Sequence, residues 1–159
     1  MRAAKAAGTV KWILIAVLAF ALIWQAMRGR SSGTPFSEMA EAVSGAADLS
    51  SLAEADNQMF RRLYGLDMTD YDGVLLYYPA DSMGAEELLV LKMKDKSQAD
   101  EVRSAIEGRL ATQIRNFDGY GAEQTAMLKD SAAVVRGNYA LFVSARNKEP
   151  VVAAFEQNY

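Results

Sequence analysis

The hydrophobic pattern changes its period once along the chain, where a predicted strand leads directly into a predicted helix. Leu89, Leu91 and Met93 occupy every second position, which predicts a strand with one buried face. The apolar residues that follow recur every three or four positions and line one face of a helix: Ala99, Val102, Ile106, Leu110, Ile114 and Phe117. An apolar strand face opposite an apolar helix stripe predicts a packed core.

Two polar residues define the predicted start of this helix, and a glycine lies within it. Ser97 is predicted to cap its N-terminus, with Asp100 completing a capping box. Gly108 lies on the polar side, where glycine costs about 1 kcal/mol relative to alanine. An exposed surface, a break in the helix or the close approach of another backbone would each explain this glycine. Because the apolar stripe continues in phase beyond it, we expect one continuous helix with Gly108 exposed.

Shorter signals predict the remaining elements. Helices are predicted at 34–45, 52–64 and 122–129, strands at 73–78, 132–136 and 139–146, and a helical turn at 150–157. Gly137 and Asn138 suit a type II′ turn between the last two strands, because glycine supplies the positive φ. The order predicts an α+β domain, in which two hairpins form a mainly antiparallel four-stranded sheet under the long amphipathic helix.

An apolar segment precedes this domain. Residues 9–27 contain one charge, Lys11, and as a helix they would be about 28 Å long, which matches the hydrocarbon core of a bilayer. A cleaved signal peptide and a secreted domain remain the alternative, since Ala19-Phe20-Ala21 offers a cleavage site. Arg2, Lys5 and Lys11 at the N-terminal end of the segment outnumber Arg28 and Arg30 after it, which favours a cytoplasmic N-terminus. The predicted organisation is a cytoplasmic N-terminus (1–8), a transmembrane anchor (9–27), a linker (28–34) and an extracytoplasmic domain (35–159).

Composition excludes several kinds of chemistry. The sequence contains no cysteine and no histidine, which removes disulfides, thiol nucleophiles, imidazole catalysis and zinc sites built from these ligands. Five of the 17 basic residues lie in the first 30 positions, so the rest of the chain holds 12 basic and 20 acidic residues. An acidic domain gains nothing from phosphate neutralisation, and we expect no nucleic-acid partner.

The carboxylates do not form a convincing catalytic or metal site in the sequence. Asp67, Asp70 and Asp72 are too irregularly spaced for a calcium loop and suit a polar turn. Glu86 and Glu87 are adjacent on a strand and should point to opposite faces, where they would serve solubility. We therefore predict no catalytic residue, no metal ligand and no cofactor.

Other polar and aromatic side chains have structural or binding interpretations. Arg109 and Gln113 lie one turn apart and flank the apolar stripe, so Arg109 is expected to anchor the helix to the sheet. Four tyrosines are candidates for an aromatic binding surface or for packing within the sheet: Tyr77, Tyr78, Tyr120 and Tyr139.

Several short motifs from Gly65 onward resemble a family of bacterial domains of unknown function, family 4358. They are Glu86-Glu87, Lys92-Met93-Lys94-Asp95, Arg109, Phe117, Tyr120, Glu123-Gln124 and Gly137-Asn138-Tyr139. The family occurs on membrane-anchored and lipoprotein-like envelope proteins of Gram-positive bacteria. The resemblance implies an extracytoplasmic location and no known activity. This chain has a hydrophobic segment but no lipid-attachment cysteine, so lipidation is not implied.

The sequence thus favours an envelope protein held in the membrane by one helix, with a non-catalytic domain that binds an unidentified protein or envelope ligand. One alternative is a carboxylate-based hydrolase, acting with or without a metal ion, that uses Asp70 and Asp72. Another alternative is a self-associating structural protein, which would show an exposed sheet edge.

Overall fold

The computed structural model describes residues 31–159, and the predicted anchor at 9–27 lies outside them. Within the described part, no helix has the length and apolar character needed to cross a bilayer. The strands are β1 (Leu52–Glu54), β2 (Tyr71–Pro79), β3 (Glu87–Met93), β4 (Ala132–Arg136) and β5 (Tyr139–Ser144). The helices are α1 (Phe36–Gly45), α2 (Asn57–Tyr64), α3 (Ala99–Phe117), α4 (Ala122–Lys129) and α5 (Glu149–Asn158). Single 3₁₀ turns occur at Met68–Asp70 and Lys96–Gln98.

The strands form one antiparallel sheet in the order β1-β2-β3-β5-β4. Both predicted hairpins are present, and Gly137 has the positive φ of 54° that its turn requires. The α+β class is therefore confirmed, but the sheet has five strands where four were predicted. The additional strand, β1, lies within the segment predicted as one helix at 52–64.

The position at which the helix starts within that segment explains the error. Helix α2 begins only at Asn57, because the side chain of Asp56 accepts a hydrogen bond from the N–H of Met59 and caps the helix there. Gly65 ends the helix with a φ of 71°, as predicted. The residues before the cap are left to pair with β2, and a strand of three residues is too short to show a period.

Helices cover both faces of the sheet, which corrects the prediction that β3 has one buried face. Leu89, Leu91 and Met93 pack under α2 and α3 on what we name the first face. Leu88 and Val90 pack under α1 and α5 on the second face. The predicted turn at 150–157 is the full helix α5, whose Val151 and Phe155 are buried there. Because β3 is central and covered on both sides, it is apolar at almost every position.

The start of α3 differs from the predicted capping box. Asp95, and not Ser97, is the capping residue, since its carboxylate accepts from the N–H of Ser97. Gln98 completes the box through bonds from the main-chain N–H groups of Lys94 and Asp95. The 3₁₀ turn formed in this way leads directly into α3.

The segment before α1 is bonded to the domain, although it was predicted as part of a linker. Asn138 accepts a hydrogen bond from the N–H of Ser32 at 2.8 Å and donates one to its carbonyl at 3.2 Å. The carbonyl of Thr34 accepts from Lys92 Nζ and from the hydroxyl of Tyr139, both at 2.8 Å. The chain therefore enters the domain at the end of the sheet where β3 finishes.

The position of Gly108 supports a stabilising substitution. The residue is exposed in an unbroken α3, and a Cβ added there would meet no atom within 4 Å. We expect Gly108→Ala to raise the free energy of unfolding by about 0.5–1 kcal/mol, because alanine loses less backbone entropy and favours the helix. Urea unfolding of the full chain measures the effect.

Gly73 provides a matched control with the opposite sign. A Cβ at this position would overlap the ring of Phe36, so Gly73→Ala should destabilise the domain. A loss of stability in Gly108→Ala would contradict the continuous, exposed helix.

Candidate functional site

The sheet carries one acidic residue in its interior. Glu87 has the same parity along β3 as Leu89 and Leu91, so its carboxylate enters the first face, and only 1% of the residue is exposed. Glu86 points away from that face and is partly exposed, as expected for adjacent strand residues. The predicted solubility role is therefore wrong for Glu87.

Three side chains from two helices converge on this carboxylate. Arg109 of α3 donates through Nε at 3.1 Å to both carboxylate oxygens and through Nη2 at 2.5 Å to Oε2. The Tyr64 hydroxyl at the end of α2 donates to Oε1 at 2.5 Å, and Gln113 Nε2 lies 3.5 Å from Oε2. We call Tyr64, Glu87, Arg109 and Gln113 the buried polar cluster.

The electrostatics of the buried polar cluster keep the Tyr64 hydroxyl and the Arg109 guanidinium protonated. Burial, and then the negative charge of Glu87, raise the pKa of the Tyr64 hydroxyl well above its usual value, so it remains a donor. Burial disfavours the charge of Arg109, but its hydrogen bonds to Glu87 and the charge of that carboxylate raise its pKa overall. Tyr64 and Arg109 therefore both remain hydrogen-bond donors to Glu87.

Ser144 lies opposite Glu87 in the pairing of β3 with β5 and therefore on the same face. The serine is fully buried, and among the described residues its hydroxyl is the buried side-chain group that has no hydrogen-bond partner. Glu87 and Ser144 contribute to the lining of a small cavity at the start of β3, whereas Tyr64, Arg109 and Gln113 are not among its lining residues. The hydrogen bonds of the cluster join α2, β3 and α3.

Sequence reasoning identified part of this arrangement. It placed Arg109 as the anchor of the long helix on the sheet and Gln113 beside it, and both contact Glu87 as just described. It missed Glu87 as the anchor point, although a charged residue with the parity of the buried strand positions was a usable signal. Tyr64 and Ser144 gave no such signal, because their positions depend on tertiary contacts.

The three aspartates of the 67–72 turn are not brought together. Asp67 accepts from Asn57 and Thr69 and pairs with Arg61. The charge of Asp70 acts on Tyr71 of the first face, whereas that of Asp72 acts on Tyr139 of the second face. Among residues 31–159, no group of three or more acidic side chains has the geometry of a metal site.

A small cavity lies at the end of the sheet where β3 begins. It has a volume of about 160 Å³, and its lining includes three acidic residues, Asp48, Glu86 and Glu87, together with Ser144. Asp48 accepts from the N–H and hydroxyl of Ser50, which lower the pKa of its carboxyl. Glu86 accepts from the N–H of Ala85 at 3.2 Å. The cavity is smaller than the roughly 300 Å³ at which ligand pockets usually start.

The four candidate tyrosines do not form one surface. Tyr139 is fully buried on the second face, and Tyr77 packs at the edge of that core and lies 3.4 Å from Glu54. Tyr120 alone of the four is well exposed, at 66%, in the loop between α3 and α4. It lies on a groove of about 490 Å³ whose lining includes Phe117, Ala126 and Lys129.

A second exposed apolar side chain lies nearby. Met83 is 51% exposed in the loop between β2 and β3, and Gln124 of α4 donates to its carbonyl. Ala85 of the same loop packs against Phe117, whose ring lies 6.0 Å from that of Tyr120. We call the two loops with Met83 and Tyr120, together with the groove, the loop end. It lies at the end of the sheet opposite Thr34.

Tyr71 supplies a pH-dependent prediction. Burial, followed by the charges of Glu101 and Asp70, raises the pKa of Tyr71 to about 12. An unfolded tyrosine ionises near pH 10, so above about pH 10 the folded chain binds more protons and loses stability as the pH rises towards 12. We expect Tyr71→Phe to reduce this loss by up to about 1.4 kcal/mol per pH unit. Urea unfolding between pH 9 and 12 measures it, and equal slopes in both proteins would contradict the assignment.

Comparison with known protein families identifies the segment that contains the cluster. Residues 45–145 match the family described as a domain of unknown function, DUF4358. No curated protein and no solved structure matches the chain. The matched segment includes all five strands and the buried polar cluster, whereas α5 lies outside it. Because the match covers more than half of the chain, this protein belongs to the DUF4358 family of domains of unknown function.

Proposed function

We propose that this protein is a single-pass membrane protein of the bacterial envelope whose extracytoplasmic domain is a non-catalytic binding module. The apolar segment 9–27 and its basic flanks support the anchor. The loop end is the basis for the proposal of binding, because Tyr120 exposes apolar surface on a groove and Met83 exposes apolar surface on the adjoining loop. Tyrosine and methionine are enriched at protein interfaces, where each gives large contact area.

The placement of the acidic residues supports a role without catalysis. Glu87 is enclosed by its partners, and Asp70 and Asp72 act on opposite faces of the sheet. The cavity lined by Asp48, Glu86 and Glu87 is small, and each of these carboxylates accepts a hydrogen bond from a neighbouring group. These contacts favour a partner-binding domain over the hydrolase alternative.

Photocrosslinking in intact cells tests the binding module. A benzoylphenylalanine at position 120 of the full chain should give a defined adduct, whereas one at Arg103, on the opposite end of α3, should not. Met83→Ser should reduce the yield from position 120, because both residues contribute to the same surface. Protease added outside the cells should digest the adduct if the domain is extracytoplasmic.

Two results would contradict the proposal. Equal adduct yields from positions 120 and 103 would show that the loop end has no special role. A yield from position 120 that does not respond to Met83→Ser would show that the two side chains do not share a partner.

A further inference from the structure

The outer edge of β4 is free among the described residues. In a hairpin with a two-residue turn, the residues that flank the turn exchange hydrogen bonds, so Arg136, Val134 and Ala132 bond to β5. The main-chain N–H and C=O groups of Ala133 and Val135 therefore point away from β5. No described group forms a hydrogen bond with them.

The two edges of the sheet differ in how they are protected. The opposite edge, β1, has three residues and ends on a charged residue, Glu54, and short or charged edge strands resist further pairing. Strand β4 has five residues, no proline, and no charge before its last residue, Arg136. The structure thus leaves β4 as the edge that can accept another strand.

Opposite charges flank β4 on one face of the sheet. Asp130 lies just before the strand and pairs with Lys148, which precedes α5. Arg136 ends the strand, and its guanidinium lies 4.4 Å from the centre of the Tyr159 ring. Both contacts are on the second face, because α5 and Tyr159 pack there. An antiparallel copy of this strand would reverse the order of the two charges.

We propose that β4 pairs with β4 of a second copy of this chain, in antiparallel orientation about a two-fold axis at Ala133. In this register Asp130 of each copy lies opposite Arg136 of the other, and Ala132 lies opposite Val134. The free groups of Ala133 bond to those of its counterpart. Registers displaced by two residues also use the free edge, but they place Arg136 opposite an uncharged residue. The self-complementary charges are the reason to assign a second copy and not an unrelated strand.

Cysteine crosslinking in membranes tests the register, and no other thiol of the chain can interfere because the chain has no cysteine of its own. Residues opposite each other in a hydrogen-bonded antiparallel pair have Cα atoms about 5.5 Å apart, which suits a disulfide. We expect full-length Ala133→Cys to form a covalent dimer on mild oxidation. Ala111→Cys is the matched control, since Ala111 is also exposed but lies on α3. Equal crosslinking at the two positions, or none at 133, would overturn the proposal.

Charge exchange then distinguishes a second copy from another partner. In the Ala133→Cys background, Asp130→Lys and Arg136→Glu each place two like-charged pairs across the interface. Each should reduce the dimer by about fivefold or more. When the two variants carry different tags and are co-expressed, all cross-interface pairs become attractive, and the mixed dimer should return to the original yield. Failure of the mixed dimer to recover would overturn the register, and a crosslink to another protein would overturn the self-pairing. Thermal unfolding of each variant confirms that the fold is retained.

Discussion

Replacing Glu87 with alanine should lower the free energy of unfolding by about 3–5 kcal/mol, the largest effect that we expect from one substitution. The change leaves Arg109 charged and enclosed, since its side chain is 9% exposed in the folded domain. It also removes the acceptor of the Tyr64 hydroxyl, which burial separates from water. Urea unfolding of the full chain and its variants measures the loss.

Two further variants distinguish the effect of breaking the buried ion pair from the effect of losing a charge at any position. Glu87→Leu combined with Arg109→Met removes both charges and keeps apolar volume, so it should recover most of the loss. Arg103→Ala breaks the exposed pair with Asp100 and should cost at most about 1 kcal/mol. If Glu87→Ala and Arg103→Ala cost the same, the enclosed ion pair would not determine the packing of α3.

Ile106→Ala should cost about 2–4 kcal/mol, because it removes buried carbons and leaves a cavity between α3 and the sheet. Ile106 lies in the middle of the apolar stripe, is 2% exposed and belongs to the first-face core. Ile106→Val should cost about 0.5–1.5 kcal/mol, as expected for the loss of one methylene group. A change below about 0.5 kcal/mol in Ile106→Ala would show that this part of the helix face is not packed.

Long periodic elements could be predicted from the sequence, whereas short ones could not. The stripe of α3 repeats over five turns, and Val102, Ile106 and Phe117 are buried as the period requires. Strand β1 has three residues, and only its pairing with β2 makes it a strand. The same limit applies to the second face, because no local pattern shows that α1 and α5 pack on it.

Part of the buried polar cluster could be predicted from the sequence. Arg109 and Gln113 are on one side of a helix whose apolar face was known, so their approach to the sheet follows from helical geometry. Glu87 had the parity of a buried residue, but carboxylates at strand ends are usually solvated, and that general preference gave the wrong role. Tyr64 contacts the cluster because Asp56 caps the start of α2 and Gly65 ends the helix, which places the tyrosine in the last turn.

The two chain ends of the domain lie side by side. The hydroxyl of Thr34 donates at 2.6 Å to the carbonyl of Asn158, and Tyr159 packs against Tyr139 near the same end of the sheet. A fluorescent or affinity tag fused after Tyr159 would therefore emerge beside the point at which the chain enters, away from Met83 and Tyr120. Circular permutation would need only a short peptide to join these ends, so the covalent order of the elements can be changed while their packing is kept.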